Sequence, residues 1–542
     1  MNRYLKFLML AAALLPTAAA TAKTPRLVVN IVVSSMRAGD IDRYRDGFGE
    51  GGFMRLAGGV RYASGEYDFM QTSTPVALAT LATGALPSTH GVVSDHWYDY
   101  VANKRVDLIH DDKVSGFGYA ESGGRYSPVN LLAPTIGDEL FTASPESLVV
   151  TVALEPQSAI VMGGRHGIAY WMEPSKTAWS SSTHYMLRLP HWVDEMNRSQ
   201  YNEALTNNTW TLRHRPGVYV NRRRAVIEFA KNRGQESRPF NDLNDISGAV
   251  KPSTAYDRLR YTPAGNEATL TFAKQLVAKY ALGRDERPDI LNIVLESPRF
   301  VTEAYGPESL EVEDMYYRLD EALEDFLTYL FAQVDADNTL VVLTSDHGTC
   351  PSYDIMPVTA ERVNMLQTEV ILNGFLNARH GQGDWVTSVH DRSVWLNRNL
   401  IMSKGLSPAD IQEEVASFVI QFRGVSHALS SSSMRNSYFG SGYGKKMQNG
   451  FYPRRSGDVV INLMPGCTEE RDDRRSESGS MYGYDTQVPL MFYGWGLAPQ
   501  RVARHADMTG VAPTIAAALG ILPPAACEGK PFDEVAAQRD AE

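Results

Sequence analysis

The stretch Gln71–Gly91, QTSTPVALATLATGALPSTHG, contains the start of a predicted helix and a candidate active-site hydroxyl. Small hydroxylated residues ending at Thr74 precede Pro75, and an apolar run from Val76 to Ala82 follows. A hydroxyl followed by proline is typical of a helix start, so we place the helix N-terminus at Thr74. Free N–H groups there favour an anion, which makes the Thr74 hydroxyl a candidate nucleophile. The alternative is that Thr74 only caps the helix.

The first 22 residues, MNRYLKFLMLAAALLPTAAATA, combine two cations, an apolar core and a small-residue cleavage site. This pattern predicts a signal peptide at 1–22 and a periplasmic or secreted mature chain at 23–542. The apolar core is shorter than the roughly 20 residues that span a bilayer, so we expect no stable membrane span.

The composition is that of a globular protein, with 43% hydrophobic and 21% charged residues. The formal net charge of -11 argues against nucleic acid as a partner. Three cysteines, Cys350, Cys467 and Cys527, cannot all pair within one chain, which excludes a disulfide framework but leaves one bridge open.

Continuous apolar runs predict buried parallel strands, and helical patterns lie between and after them. The runs predicted as strands are Leu27–Val33, Leu148–Leu154, Ile290–Leu295, Thr339–Thr344, Val459–Leu463 and Val488–Tyr493. Helices are predicted over Val312–Val334 and Met508–Leu519. The alternation indicates an α/β fold, a doubly wound and mostly parallel sheet with helices on both faces. Segments at about 171–268 and 351–457 break the alternation and are interpreted as cap-like insertions over the C-terminal edge of the sheet.

The motif Thr344–Gly348, TSDHG, directly follows one of these predicted strands. A carboxylate and an imidazole at a strand end, here Asp346 and His347, suit a divalent metal ion. The alternative for this pair is an ordinary hydrogen bond in a turn.

Several motifs together resemble one family. They are LVVNIVVSSMR (27–37), GEGGFMRL (49–56), TSTPVALATLATGALPSTHG (72–91), HWYD (96–99), TSDHG (344–348) and YDTQVPLMFYGWG (484–496). They resemble the alkaline phosphatase superfamily, specifically its bacterial periplasmic branch with a threonine nucleophile, related to the type I phosphodiesterases and nucleotide pyrophosphatases. The resemblance runs from about Leu27 to Asp533 and implies the alkaline phosphatase-like fold.

The resemblance implies a Thr74 nucleophile and two zinc ions, with Asp346 and His347 as residual ligands of the ion beside Thr74. The other ligand positions differ from the family pattern. Ser34 stands where the first strand normally ends in aspartate, and Arg299, Glu303 and Ser478 stand where an aspartate and two histidines are expected. We therefore expect at most one zinc site, with none as the alternative.

The positions that bind phosphate in the family are also changed. Glu155 and Gln157 occupy a Lys-x-Arg position, and Asp95 replaces an asparagine that donates to phosphate. Carboxylates at these substrate-pocket positions would repel a phosphoryl dianion.

Arg299 suggests how the fold tolerates the loss of metal. An arginine placed among Asp346 and Glu303 could neutralise the carboxylates of the former metal site through an internal salt bridge. The alternative is that Arg299 turns to solvent.

Three functions remain open. The first is a catalytically impaired or inactive homologue retained as an envelope protein. The second is an active metal-dependent phosphomonoesterase or phosphodiesterase that uses Thr74 with one or more zinc ions. The third is a protein whose acidic pocket binds a small molecule, phosphorylated or otherwise, including a cationic or sugar-like ligand stacked on exposed tryptophans. The candidate tryptophans, which could instead belong to the core, are Trp171, Trp179, Trp192 and Trp210.

Overall fold

The computed structural model describes residues 24–119, 123–207, 210–221, 254–352, 355, 361–471 and 474–536. The predicted signal peptide at 1–22 lies outside the described residues. Within the described ranges, every helix is too short or too polar to span a lipid bilayer.

The described strands are numbered along the chain. They are β1 (Leu27–Val33), β2 (Val60–Glu66), β3 (His96–Asp99), β4 (Lys104–Asp107), β5 (Val149–Val152), β6 (Ile168–Glu173), β7 (Ala178–Ser180), β8 (Asp289–Leu295), β9 (Thr339–Thr344), β10 (Arg362–Val363), β11 (Val386–His390), β12 (Ser393–Leu396), β13 (Val425–Ser430), β14 (Val459–Leu463), β15 (Thr468–Glu469), β16 (Gln487–Val488), β17 (Leu490–Gly494) and β18 (Gln500–Asp507).

The described α-helices are numbered in the same way. They are α1 (Asp40–Arg43), α2 (Phe53–Ala57), α3 (Thr74–Thr83), α4 (Pro87–His90), α5 (Ile136–Ala143), α6 (Pro156–Gly163), α7 (His191–Arg198), α8 (Tyr201–Leu205), α9 (Ala255–Arg260), α10 (Ala264–Lys279), α11 (Ser297–Tyr305), α12 (Leu310–Gln333), α13 (Met365–His380), α14 (Arg398–Ser403), α15 (Pro408–Val419), α16 (Ser431–Asn436), α17 (Gly442–Asn449), α18 (Gly483–Thr486), α19 (Val511–Leu519) and α20 (Asp533–Ala536).

A ten-stranded sheet forms the centre of the molecule, in the order β16-β2-β17-β9-β1-β8-β5-β6-β7, with β18 paired to β2. The five adjacent strands from β9 to β6 run parallel to one another. Their carboxyl ends therefore lie at one edge of the sheet, which is where α/β proteins bind ligands.

Strand β1 shows why the sheet is covered on both faces. All seven of its residues are buried. Leu27, Val29, Ile31 and Val33 pack into one hydrophobic core, whereas Val28 and Val32 pack into a second. Because successive side chains of a strand point to opposite faces, the two cores lie on opposite sides of the sheet. The prediction of a mostly parallel sheet with helices on both faces is confirmed.

A smaller antiparallel sheet, in the order β11-β12-β14-β13, is built from residues 386–463. The prediction that Val459–Leu463 is a parallel strand is wrong, because β14 pairs antiparallel with both β12 and β13 in this smaller sheet. The run Val488–Tyr493 was likewise predicted parallel, but β17 pairs antiparallel with β9 and β2. A buried apolar run shows that both faces of a strand are covered, but not the direction of its partners.

The two predicted insertions contain different kinds of structure. Residues 171–268 begin within β6 and include β7, so this segment also extends the central sheet. Residues 351–457 supply three strands of the smaller sheet and the helices packed around it. The division of the chain into domain and insertions remains a prediction.

The tryptophans proposed as stacking surfaces belong to the core. Trp171, Trp179 and Trp210 are buried, and Trp192 packs against the same core as Trp179. The hypothesis of a tryptophan-lined ligand surface is therefore wrong, and the alternative is confirmed. Cys350, Cys467 and Cys527 form no disulfide with one another.

Candidate active site

Thr74 is the first residue of α3, and Ser73 occupies the N-cap position. Ser73 makes no side-chain capping bond, and the Thr74 hydroxyl lies 3.2 Å from Nε2 of His347. The interpretation of Thr74 as only a helix cap is therefore wrong. The chain reaches Thr74 through Gln71, which has a left-handed φ of 68° and donates a 2.7 Å side-chain hydrogen bond to the carbonyl of Asp391. This contact joins the loop before α3 to the smaller sheet.

Asp346 is buried just beyond the end of β9 and accepts several hydrogen bonds. The Ser34 hydroxyl donates to Oδ2 at 2.5 Å, and the backbone N–H groups of Ser35 and His347 donate to Oδ1 at 3.0 and 2.8 Å. Burial alone would raise the pKa of Asp346, but His347 and the hydroxyls of Ser34 and Thr74 favour its charged form and lower that pKa. Ser34 therefore acts as a hydrogen-bond donor to the carboxylate.

His347 has a defined tautomer. Its Nδ1 donates to the carbonyl of Gly348 at 2.6 Å, so in the neutral ring Nε2 is the acceptor. Around this nitrogen lie the hydroxyl of Thr74 at 3.2 Å, Oδ2 of Asp346 at 3.4 Å and the hydroxyl of Ser478 at 3.5 Å. Ligands of a tetrahedral zinc ion are about 3.3 Å apart, given Zn–N and Zn–O bonds of about 2.0–2.1 Å. The distances from Nε2 of His347 to Thr74 and to Asp346 are both close to this spacing.

Arg299 lies in the first turn of α11, one helix turn before Glu303. Its Nη1 is 3.6 Å from Oε1 of Glu303, and its guanidinium carbon lies 4.3 Å from the centre of the Phe300 ring. Burial alone would lower the pKa of Arg299, but Glu303, Glu296, Glu155 and Asp346 raise it. The alternative of an arginine turned to solvent is wrong. The predicted pairing with Glu303 is present, whereas Asp346 influences Arg299 only through space.

A second metal ion does not fit these residues. A guanidinium cation occupies the place where an aspartate ligand was expected, and the oxygens of Glu303 already face two arginines, Arg299 at 3.6 Å and Arg474 at 3.4 Å. The remaining predicted position, Ser478, offers a neutral hydroxyl, which is a poor zinc ligand. These positions therefore do not supply the ligand set that the resemblance implies for a second zinc ion.

Glu296 is a pocket carboxylate that the sequence analysis missed. It follows β8 directly and accepts from the backbone N–H of Glu155 at 2.7 Å and the hydroxyl of Ser158 at 2.6 Å. Burial and then the charge of Glu155 raise its pKa to about 8. Glu155 in turn accepts from the Tyr256 hydroxyl at 2.6 Å. Its position at the end of a predicted strand was the available signal.

Asp95 lies on another wall of the pocket, beside the start of β3. Its Oδ1 accepts from Nδ1 of His96 at 3.0 Å and also lies 3.0 Å from the hydroxyl oxygen of Ser94. Burial alone would raise the pKa of Asp95, but the His96 hydrogen bond lowers it. The side chain is thus a carboxylate that already has donors within the chain.

Arg392 and Glu477 form a buried ion pair that the sequence analysis also missed. Burial raises the pKa of Glu477, Arg392 lowers it, and the charge of neighbouring Glu469 raises it again, so that the pKa is about 7. The two residues are far apart in the chain, and no local pattern connects them.

A single cavity of about 300 Å³ brings these groups together. Its described lining contains seven carboxylates and four guanidinium groups, which makes the pocket net acidic. Ser34 and Asp346 do not line the cavity, while the other eight predicted positions do, namely Thr74, Asp95, Glu155, Gln157, Arg299, Glu303, His347 and Ser478.

The fold and this edge-of-sheet site define a class of protein. Residues 28–364 match the family model of type I phosphodiesterase / nucleotide pyrophosphatase. The chain belongs to this family and to the threonine-nucleophile branch of the alkaline phosphatase superfamily, which confirms the resemblance.

Individual relatives are similar over almost the whole chain. Alkaline phosphatase PafA of Elizabethkingia meningoseptica is 30% identical over 519 residues, which cover 94% of each protein. Alkaline phosphatase PhoV of Synechococcus elongatus is 28% identical over 94% of this chain and 92% of that protein. The crystal structure of wild-type PafA superposes with a TM-score of 0.85 at 28% identity, over 94% of this chain and 99% of that one.

Proposed function

We propose that this chain is a catalytically impaired or inactive member of the alkaline phosphatase superfamily that binds a small polar ligand in its acidic pocket. The observation that carries the proposal is the buried guanidinium of Arg299. It lies where the resemblance implies a ligand of the second metal ion, and a fixed cation opposes a metal cation electrostatically.

The charges around Thr74 support the same proposal. Phosphoryl transfer depends on cations that neutralise the charge developing on the phosphoryl oxygens. Each pocket arginine already faces a carboxylate: Arg299 and Arg474 face Glu303, Arg392 faces Glu477, and Arg471 faces Glu469. Asp95 and Glu155 occupy positions that bind phosphate in the family, and their negative charges would repel a phosphoryl dianion.

The second candidate is a hydrolase that uses Thr74 with one zinc ion. The observation in its favour is the convergence of Thr74, Asp346 and Nε2 of His347 at ligand-like spacing. These residues would hold the ion, which when bound lowers the pKa of a coordinated hydroxyl. Ser34 would contribute its hydrogen bond to Asp346 and keep that carboxylate oriented.

One experiment separates the candidates. Turnover of an aryl phosphate monoester and a diester is measured with added zinc, for the wild type and Thr74→Ala. Thr83→Ala makes the same change at the other end of α3 and controls for helix stability. We expect no turnover that depends on Thr74. Turnover lost in Thr74→Ala and kept in Thr83→Ala would overturn the proposal in favour of the hydrolase.

The cellular setting follows from the predicted signal peptide and the charge. We propose an exported protein that acts in the periplasm or outside the cell, with a small molecule as its partner and no nucleic acid. Detection of the mature chain, beginning near Lys23, in the periplasmic or extracellular fraction tests the export.

A further inference from the structure

Two histidines and an aspartate meet beside the pocket, away from the predicted metal positions. His96 begins β3, and His390 and Asp391 lie at the hairpin between β11 and β12. One ring nitrogen of each histidine and one carboxylate oxygen of Asp391 all lie within 4.8 Å of one another. Asp391 also lines the pocket.

His96 has the tautomer of a metal ligand. Asp95 accepts from Nδ1 of His96 at 3.0 Å, so in the neutral ring Nδ1 carries the proton and Nε2 keeps its lone pair. A carboxylate that holds the far nitrogen of a histidine is the usual outer partner of a metal-bound imidazole. Through this contact, Asp95 would orient His96 as a metal ligand and would not bind phosphate.

The ring of His390 packs against two other rings. Its ring centre lies 4.0 Å from Trp395, in a stacked arrangement, and 4.3 Å from His96. Within the described part of the chain, its buried Nδ1 makes no close hydrogen bond and faces Oδ2 of Asp391 at 3.7 Å. A cation bound between this nitrogen and the carboxylate would interact favourably with both groups.

The position of Asp391 is fixed by an unusual backbone. Asp391 and Arg392 both have positive φ, 43° and 56°, in the two-residue turn between β11 and β12. Such a turn normally favours glycine or asparagine, so these residues keep it against a conformational cost. The hydroxyl of Ser94 donates to Oδ2 of Asp391 at 2.6 Å and orients the carboxylate further.

We propose that His96, His390 and Asp391 form a binding site for one divalent cation of the zinc class. Two imidazoles and one carboxylate match the three-ligand sets of zinc sites that keep an open fourth position. Small side-chain rotations would bring the ligand atoms from within 4.8 Å to the roughly 3.3 Å spacing of a tetrahedral ion. The open position would face the pocket and add a positive charge to its acidic wall.

Arg471 is the nearest competing charge. Its Nη2 lies 3.9 Å from Oδ1 of Asp391 and 3.3 Å from Oε2 of Glu469. A bound cation would repel this guanidinium, which can retain its contact with Glu469. Arg471→Gln is therefore expected to strengthen cation binding.

The test uses the full chain, stripped with a chelator and titrated with zinc chloride by calorimetry, with elemental analysis after desalting. We expect one zinc ion per chain, bound at least 100-fold more weakly by His96→Gln and by His390→Gln. Asp95→Asn removes only the outer partner and is expected to weaken binding by about 10–100-fold. His191→Gln, a change at an exposed histidine, is the matched control and should bind as the wild type does.

Cobalt(II) in place of zinc provides a second readout, because a four-coordinate cobalt ion absorbs visible light. The absorption band is expected in the wild type and absent from His390→Gln, with both proteins showing the same unfolding temperature in chelator. If His96→Gln fails to fold, His390→Gln decides the result. The proposal is overturned if the wild type binds no zinc, or if its zinc depends on His347 and not on His96 and His390. This site does not rest on the proposed loss of catalysis, which the Thr74 variants test separately.

Discussion

Replacing Arg299 with glutamine removes the cation among the pocket carboxylates while keeping a polar side chain in α11. The Arg299 side chain is 17% exposed, and its Nη1 lies 3.6 Å from Glu303. Two charges at that distance interact by about 4–5 kcal/mol at an effective dielectric constant near 20. Desolvation offsets part of this, and removing one partner of a buried pair typically costs about 3–5 kcal/mol. Glu303 keeps Arg474 at 3.4 Å, so we expect a loss of about 2–3 kcal/mol.

The loss should depend on pH. Arg299 lowers the pKa of Glu296, so without Arg299 the folded-state pKa of Glu296 rises further above its unfolded value. The folded variant then binds more protons than the unfolded chain, so its stability falls as pH rises. The deficit relative to the wild type should therefore be larger at pH 8 than at pH 5.

The assay is urea unfolding followed by tryptophan fluorescence at both pH values. Arg474→Gln is the matched control, because Arg474 faces the same carboxylate but is 31% exposed. That substitution should cost less than about 1 kcal/mol. A loss below about 1 kcal/mol for Arg299→Gln at pH 8, or an equal loss at both pH values, would refute the assignment of Arg299 as the counter-charge of this pocket.

Three further substitutions probe other parts of the molecule. The pKa of Glu296 is raised to about 8, so the contribution of this carboxyl to the stability of the wild type falls as pH rises from about 4.5 to 8. Glu296→Gln should therefore gain stability relative to the wild type across that pH range, measured by urea unfolding. Trp179→Ala should lose about 3–5 kcal/mol, because the ring is buried and stacks on Phe272 at 4.3 Å, whereas Leu187→Ala, at a side chain 96% exposed, should leave the unfolding midpoint unchanged. The expected metal ligands are restored in a combined variant with Ser34→Asp, Arg299→Asp, Glu303→His and Ser478→His. Its zinc content, measured by elemental analysis, and its aryl phosphate turnover should rise above wild-type levels. No gain in either would show that other positions also limit the site.

The central sheet was predictable because its parallel strands are buried on both faces. Leu27–Val33 and Thr339–Thr344 have the bounds that their apolar runs predicted. The same pattern misassigned Val459–Leu463, since a strand covered on both faces by an insertion looks identical in sequence to a strand of the central sheet. The burial of a strand can be predicted from its own residues, whereas its direction relative to its neighbours depends on strands that are distant in the sequence.

In the candidate site, the positions of several residues could be predicted from the sequence, but their distant partners could not. Positions that follow the end of a parallel strand, such as Asp346 and Arg299, could be placed from the strands before them. The partners that set their charge could not, because contacts such as Arg392 with Glu477 join distant segments. His390 and Asp391 were overlooked for a related reason, since only the folded hairpin brings them to His96.

Arg299 also changes what the protein needs from its surroundings. A bound metal ion can be lost by dilution or taken by a chelator, and a fold that relies on it depends on the supply of that metal. The positive charge of Arg299 is covalently part of the chain and is present in every newly made copy. The carboxylates of this pocket should therefore stay neutralised when zinc is scarce, and the pocket around Arg299 should keep its shape in the presence of a chelator.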